Sequence, residues 1–165
     1  CATLFKLFGT THYLLTVRLL SCACDILVML CIVGIYRHVF KSSSTTGTLL
    51  GLGAVMLYVF NPLVDYANGY AWNHDVVILC VVASFWLFIS TDFGRKSRYW
   101  RFAVIGALLT FATCMRATTI LVELLFFVVL LSLSAKSLKE RLVTALPFLL
   151  TAVLVSIWPL TLNGT

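Results

Sequence analysis

The residues able to do chemistry fall in a few short stretches. Arg116 stands near the midpoint of a 32-residue apolar run, 102–133, whose only other charge is Glu123. A guanidinium in such a run needs water or a partner, and its planar fork fits phosphate oxygens or a carboxylate. A phosphate held at a membrane face suggests a lipid phosphate. The competing partners are the carboxylates of Glu123 and Asp75. Glu123 follows Arg116 by seven residues, so the two are expected on one helix face, lining one cavity. The stretch 65–75 reads Asp-Tyr-Ala-Asn-Gly-Tyr-Ala-Trp-Asn-His-Asp and contains no Lys or Arg. Within it, Asn73, His74 and Asp75 suit either the lining of a polar cavity or the N-cap of a following helix. Tyr66, Tyr70 and Trp72 suit either ligand contact or an interfacial aromatic belt. Arg18 and Asp25 share a helix face, as a packing pair or as part of an aqueous cavity.

Metal chemistry is not indicated. His74 and Asp75 are two ligands, too few for a site, and Cys22 and Cys24 are too close together for the usual zinc pair. Cys22, Cys24, Cys31, Cys80 and Cys114 fall in or beside apolar runs and read as small buried residues. Asn163-Gly164-Thr165 is a glycosylation sequon in form, expected to stay unoccupied so close to a membrane.

The composition decides the class. The chain of 165 residues is 61% hydrophobic and 11% charged, with a mean hydropathy of +1.04. A soluble domain carries about 25% charged residues. This chain is therefore read as an all-α membrane protein. Its net charge of +6 belongs to cytoplasmic loops rather than to a nucleic-acid surface.

The elements that must position these groups are about six membrane helices, at 12–36, 47–64, 74–91, 100–114, 117–134 and 142–160. A bilayer crossing needs about 20 residues, so 102–133 is too long for one span. Cut at Arg116, it becomes two short helices, 100–114 and 117–134. That cut also places the basic loops 37–46, 92–101 and 135–141 on one side. These loops hold Arg37, Lys41, Arg95, Lys96, Arg98, Arg101, Lys136, Lys139 and Arg141, leaving only Lys6, Arg18 and Arg116 elsewhere. The positive-inside rule makes the basic side cytoplasmic. The stretch 65–75 and the turn at Arg116 then share the outer face, and one outer cavity is expected to hold both. Gly47, Gly51 and Gly53 either allow close helix contact or are merely tolerated. Asn61-Pro62 is expected to break or kink the second helix near its end.

Here the chain resembles the GT-C glycosyltransferases, in the branch of protein O-mannosyltransferases and aminoarabinose transferases. The likeness lies in Arg18-Leu-Leu-Ser-Cys-Ala-Cys-Asp25, in Asn61-Pro62 followed by Tyr70-Ala-Trp-Asn-His-Asp75, and in Gly94-Arg95 to Trp100 followed by Met115-Arg116-Ala-Thr-Thr. The resemblance implies sugar transfer from a polyprenyl- or dolichyl-phosphate carrier to an acceptor on the lumenal or periplasmic face. It implies that Arg116 contacts the lipid phosphate, that Asn73, His74 and Asp75 line the outer cavity, and that Arg18 holds a phosphate or the loop above it. The family's catalytic carboxylate sits in an outer loop after the first membrane helix, which this resemblance places before Cys1. The chain is thus expected to be the membrane part of a longer enzyme, inactive alone and lying in the endoplasmic reticulum or a bacterial inner membrane. Its partners would be membrane lipid, the lipid-linked donor and an unidentified acceptor, with no covalently bound cofactor, a metal left open, and no nucleic acid. The rival reading is a transporter or channel subunit, or a membrane scaffold. The chain has no internal repeat of the kind transporters often show.

Overall fold

Long apolar runs broken by basic or Pro/Gly-containing stretches fold as helices here. The computed structural model describes residues 13–41, 43–62, 64, 74–92, 98–133 and 138–162, and it contains no strand among them. The chain divides into two units, 1–79 and 80–165.

In the first unit, α1 (Tyr13–Val39) ends on Arg37 and His38, cations placed where the last carbonyls of a helix favour them. The turn after it is tight. The Phe40 N–H donates to the Tyr36 carbonyl at 2.9 Å and the Ser43 N–H to the Phe40 carbonyl at 3.1 Å. Ser43 then caps α2 (Ser44–Val59), its hydroxyl accepting from the Thr46 N–H at 3.4 Å. This cap explains a difference from the sequence reading. The second helix opens at Ser44 rather than 47, and most of the Ser/Thr-rich stretch taken as loop is helical. The helix also stops at Val59 rather than 64, where Pro62 lacks an N–H and disfavours helical backbone at Asn61.

The two helices return antiparallel. A Cβ on Gly47 would lie 3.0 Å from the Tyr36 carbonyl oxygen, and one on Gly51 would lie 3.0 Å from the Val33 Cα. Both glycines therefore mark close backbone approach. Gly53 has nothing within 4 Å of such a Cβ, so it is simply tolerated. The third helix, α3 (His74–Ile89), begins in this unit and crosses into the next.

In the second unit, α4 (Arg98–Met115), α5 (Ile120–Leu133) and α6 (Leu138–Leu162) surround an apolar core of Phe102, Ile105, Leu109, Phe126, Leu130 and Phe148. Phe126 meets Phe88 edge-on at 5.6 Å, and Phe127 stacks on Phe148 at 6.0 Å. α4 and α6 run parallel and nearly touch, since a Cβ on Gly106 would stand 2.5 Å from the Phe148 carbonyl oxygen. The Thr151 hydroxyl lies 2.8 Å from the Ala103 carbonyl of the facing helix. A one-turn connection brings α5 back antiparallel to both.

The end of α3 is tied down by Arg101, whose Nη1 donates to the Ser90 carbonyl at 2.5 Å. Arg101, Lys139 and Arg141 thus collect at one end of this unit and Arg116 at the other. α4 and α6 begin earlier than expected, at 98 and 138 rather than 100 and 142, because Lys and Arg are good helix formers. At 18 residues α4 is longer than the short span expected, whereas α2 and α3 have 16 each.

Two segments, Leu15–Val39 and Lys139–Ile157, are long and apolar enough to cross a membrane. The other helices are apolar but shorter. Both units expose large hydrophobic side chains, among them Leu57 at 78%, Phe60 at 75% and Leu121 at 72%. Apolar surface on this scale needs lipid or a partner to cover it.

Candidate functional site

Arg116 interrupts the run between α4 and α5. Its backbone is extended, at φ −150 and ψ 107, and it precedes a single 3-10 turn, Ala117–Thr119. Three bonds fix that backbone. The Arg116 N–H donates to the Ala112 carbonyl at 2.8 Å, and the Arg116 carbonyl accepts from the Thr119 N–H at 3.0 Å. The same carbonyl accepts from the Thr119 hydroxyl. Thr119 is buried, whereas Arg116 and Thr118 are exposed. The guanidinium therefore projects from a pinned turn.

Beside this turn opens an apolar groove of about 410 Å³. Cys114 and Ile120 line it next to the turn, Leu124 and Phe127 line it along α5, and Leu149 and Ala152 line it on α6. Among the described residues that line it, Glu123 is the one carboxylate. The Thr110 hydroxyl donates to Glu123 Oε1 at 2.5 Å, and the Thr113 hydroxyl lies 2.8 Å from Oε2. The sequence placed Arg116 and Glu123 on one helix face. That is corrected here, because Arg116 is extended and a 3-10 turn intervenes, so helical spacing does not relate them.

A second polar group occupies the first unit. The Tyr58 hydroxyl donates to Asp25 Oδ1 at 2.8 Å. Asp75 is 2% exposed and hydrogen-bonded by Ser21, with Asp25 and His74 within electrostatic reach. Among the described residues Asp75 Oδ2 has no hydrogen-bond partner. A first-turn Asp suits the positive end of the α3 dipole. This burial differs from an open cavity-lining role for Asp75. His74 beside it is half-buried, and Arg18 is exposed on α1. Asn73 and the rest of 65–73 lie outside the described residues.

Sequence reasoning missed Tyr58, Ser21 and Thr110. Asp25 signalled that a partner was needed, but which residue meets it depends on the hairpin register. Thr110 and Thr113, three apart on α4, were a weak signal for a shared acceptor. Among the described residues no group of three or more His, Cys, Asp or Glu side chains suits a metal ion. The cysteine reading is corrected in part, since Cys24, Cys31 and Cys80 are buried but Cys22 and Cys114 are exposed.

The described residues form an all-helical protein with many exposed apolar side chains, two of its segments long and apolar enough to cross a membrane. A family model described as dolichyl-phosphate-mannose-protein mannosyltransferase matches residues 1–159, and the chain belongs to that family. The GT-C resemblance is thus borne out at the level of the family, one of membrane glycosyltransferases that use polyprenyl-phosphate sugar donors. No curated protein and no solved structure matches the chain.

Proposed function

We propose that this chain is the multi-pass membrane part of a glycosyltransferase, in which Arg116 holds the phosphate of the lipid-linked sugar donor. The observation that carries this is an exposed arginine on a pinned turn between two apolar helices, beside an apolar groove. The donor's phosphate would meet the guanidinium, and the first part of its apolar chain would enter the groove between α4, α5 and α6. Family membership favours this enzyme over a transporter or scaffold.

In the reaction an acceptor hydroxyl oxygen attacks the anomeric carbon. The bond from that carbon to the phosphate oxygen breaks, and its electron pair leaves with the carrier phosphate. The hydroxyl proton would go to a general base. Arg116 stabilises the charge growing on the departing phosphate, as a preorganised cation does. His74 at the start of α3 and Arg18 on α1 would contact sugar or acceptor, with Asp75 buried next to His74, and the same role is proposed for Asn73. The basic segments around Arg37, Arg101 and Lys139 would face the cytoplasm, and Arg116 the lumen or periplasm.

The test is sugar transfer by the full-length protein carrying Arg116→Ala. Transfer should fall about a hundredfold, to a slow but measurable rate, while the variant still inserts and folds. Undiminished turnover would end the phosphate-binding role.

A further inference from the structure

Glu123 is the one carboxylate among the described residues that line the groove, and both of its oxygens are engaged by threonines of the facing helix. We infer that Glu123 is a positioning residue: with Thr110 and Thr113 it clamps α5 to α4 and so sets where the turn presents Arg116. The inference rests on the phosphate-binding reading of Arg116.

The chemistry favours a hydrogen-bonded clamp over a charge partner. The Thr110 hydroxyl, on a residue 3% exposed, gives its proton to Oε1. The Thr113 hydroxyl lies near two acceptors, Glu123 Oε2 at 2.8 Å and the Leu109 carbonyl at 3.0 Å. A hydroxyl has one proton and two lone pairs. It can therefore donate to Leu109 and accept from a donor at the Oε2 position. A glutamine at 123 supplies such a donor from its amide nitrogen and an acceptor for Thr110 from its carbonyl, so it keeps both bridges without charge. An alanine keeps neither. The clamp lies one to two helical turns from Arg116, whose backbone is already fixed through Ala112 and Thr119. What remains to be set is the angle between the two helices, and Glu123 bonds across that angle.

The experiment uses the full-length enzyme with Glu123→Ala, Glu123→Gln and Arg116→Ala, and the Arg116→Ala/Glu123→Ala pair. KM and kcat for the lipid-linked donor are read together with the rate of Cys114 alkylation by N-ethylmaleimide, followed by peptide mass. Glu123→Ala should raise the donor KM about tenfold or more, the scale of losing two hydrogen bonds to a carboxylate. Glu123→Gln should stay near wild type. The double variant should be no worse than Arg116→Ala alone. A loss of folded protein alone would lower the maximal rate and leave KM in place. Glu123→Gln as impaired as Glu123→Ala overturns the clamp, and so does full additivity with Arg116→Ala. If Arg116→Ala leaves both constants unchanged, the phosphate reading fails by itself. The clamp is then judged by alkylation, where several-fold faster labelling in Glu123→Ala supports it and an unchanged rate overturns it. Should Glu123→Ala not accumulate, Thr110→Val/Thr113→Val carries the same expectations.

Discussion

At the residue scale, two carboxylates in apolar helices are satisfied by hydroxyls from a neighbouring helix. Glu123 takes Thr110 and Thr113, and Asp25 takes Tyr58. Burying a charged group without partners is costly, so such bonds count for more than bonds on a wet surface. Tyr58→Phe removes the hydroxyl and keeps the ring. It should destabilise the protein by about 1–2 kcal/mol, read as a shift in unfolding in mixed micelles. An unchanged midpoint would mean that this bond contributes nothing. The need for a partner at Asp25, Arg116 and Glu123 was legible in the sequence, because an isolated charge in an apolar run announces itself. The partner was not. Which residue of α2 meets Asp25 depends on the register of the hairpin, where Ser43 caps the start of α2 and Gly47 and Gly51 pack against α1.

At the element scale, small residues set how closely helices approach. Gly106 lies against the backbone of α6, where a Cβ would stand 2.5 Å from the Phe148 carbonyl oxygen. Backbone cannot step aside as a side chain can. Gly106→Ala should therefore cost about 1–3 kcal/mol as an overpacked contact. Gly53→Ala should be neutral or stabilising by up to about 1 kcal/mol, since nothing lies near its Cβ and alanine is the better helix former. Measuring both variants by the same unfolding assay separates packing from propensity, and equal effects would refute the distinction. The helices themselves were legible from apolar runs and basic breaks. The break at Arg116 was legible because its run is too long for one crossing and has one arginine near the middle. The 3-10 geometry of that break was not. Its cause is local, in the bonds from Thr119 to the Arg116 carbonyl, and it undid the expectation that Arg116 and Glu123 share a helix face.

At the scale of the whole molecule, charge distribution is the organising fact. In the first unit Arg37, His38 and Lys41 gather at the hairpin turn, while Asp25, Tyr58 and Asp75 meet toward its other end. In the second, Arg101, Lys139 and Arg141 gather at the end opposite Arg116. This pattern supports the proposed sidedness, in which basic ends are cytoplasmic. Cysteines placed at Lys41, Lys139 and Thr118, labelled in sealed membranes with an impermeant thiol reagent, should split accordingly. The first two should react only from the cytoplasmic side and the third only from the outer side. Labelling of Lys139 and Thr118 from one side would defeat the proposed topology.

The central claim is that Arg116 grips a lipid phosphate through its planar fork rather than by charge alone. The most direct measurement is the affinity of the purified full-length protein for a polyprenyl phosphate without its sugar, in wild type, Arg116→Lys and Arg116→Ala. Affinity should fall stepwise, with lysine recovering only part of what alanine loses, because an ammonium supplies charge but not the bidentate geometry. Equal affinity in all three proteins would contradict the account.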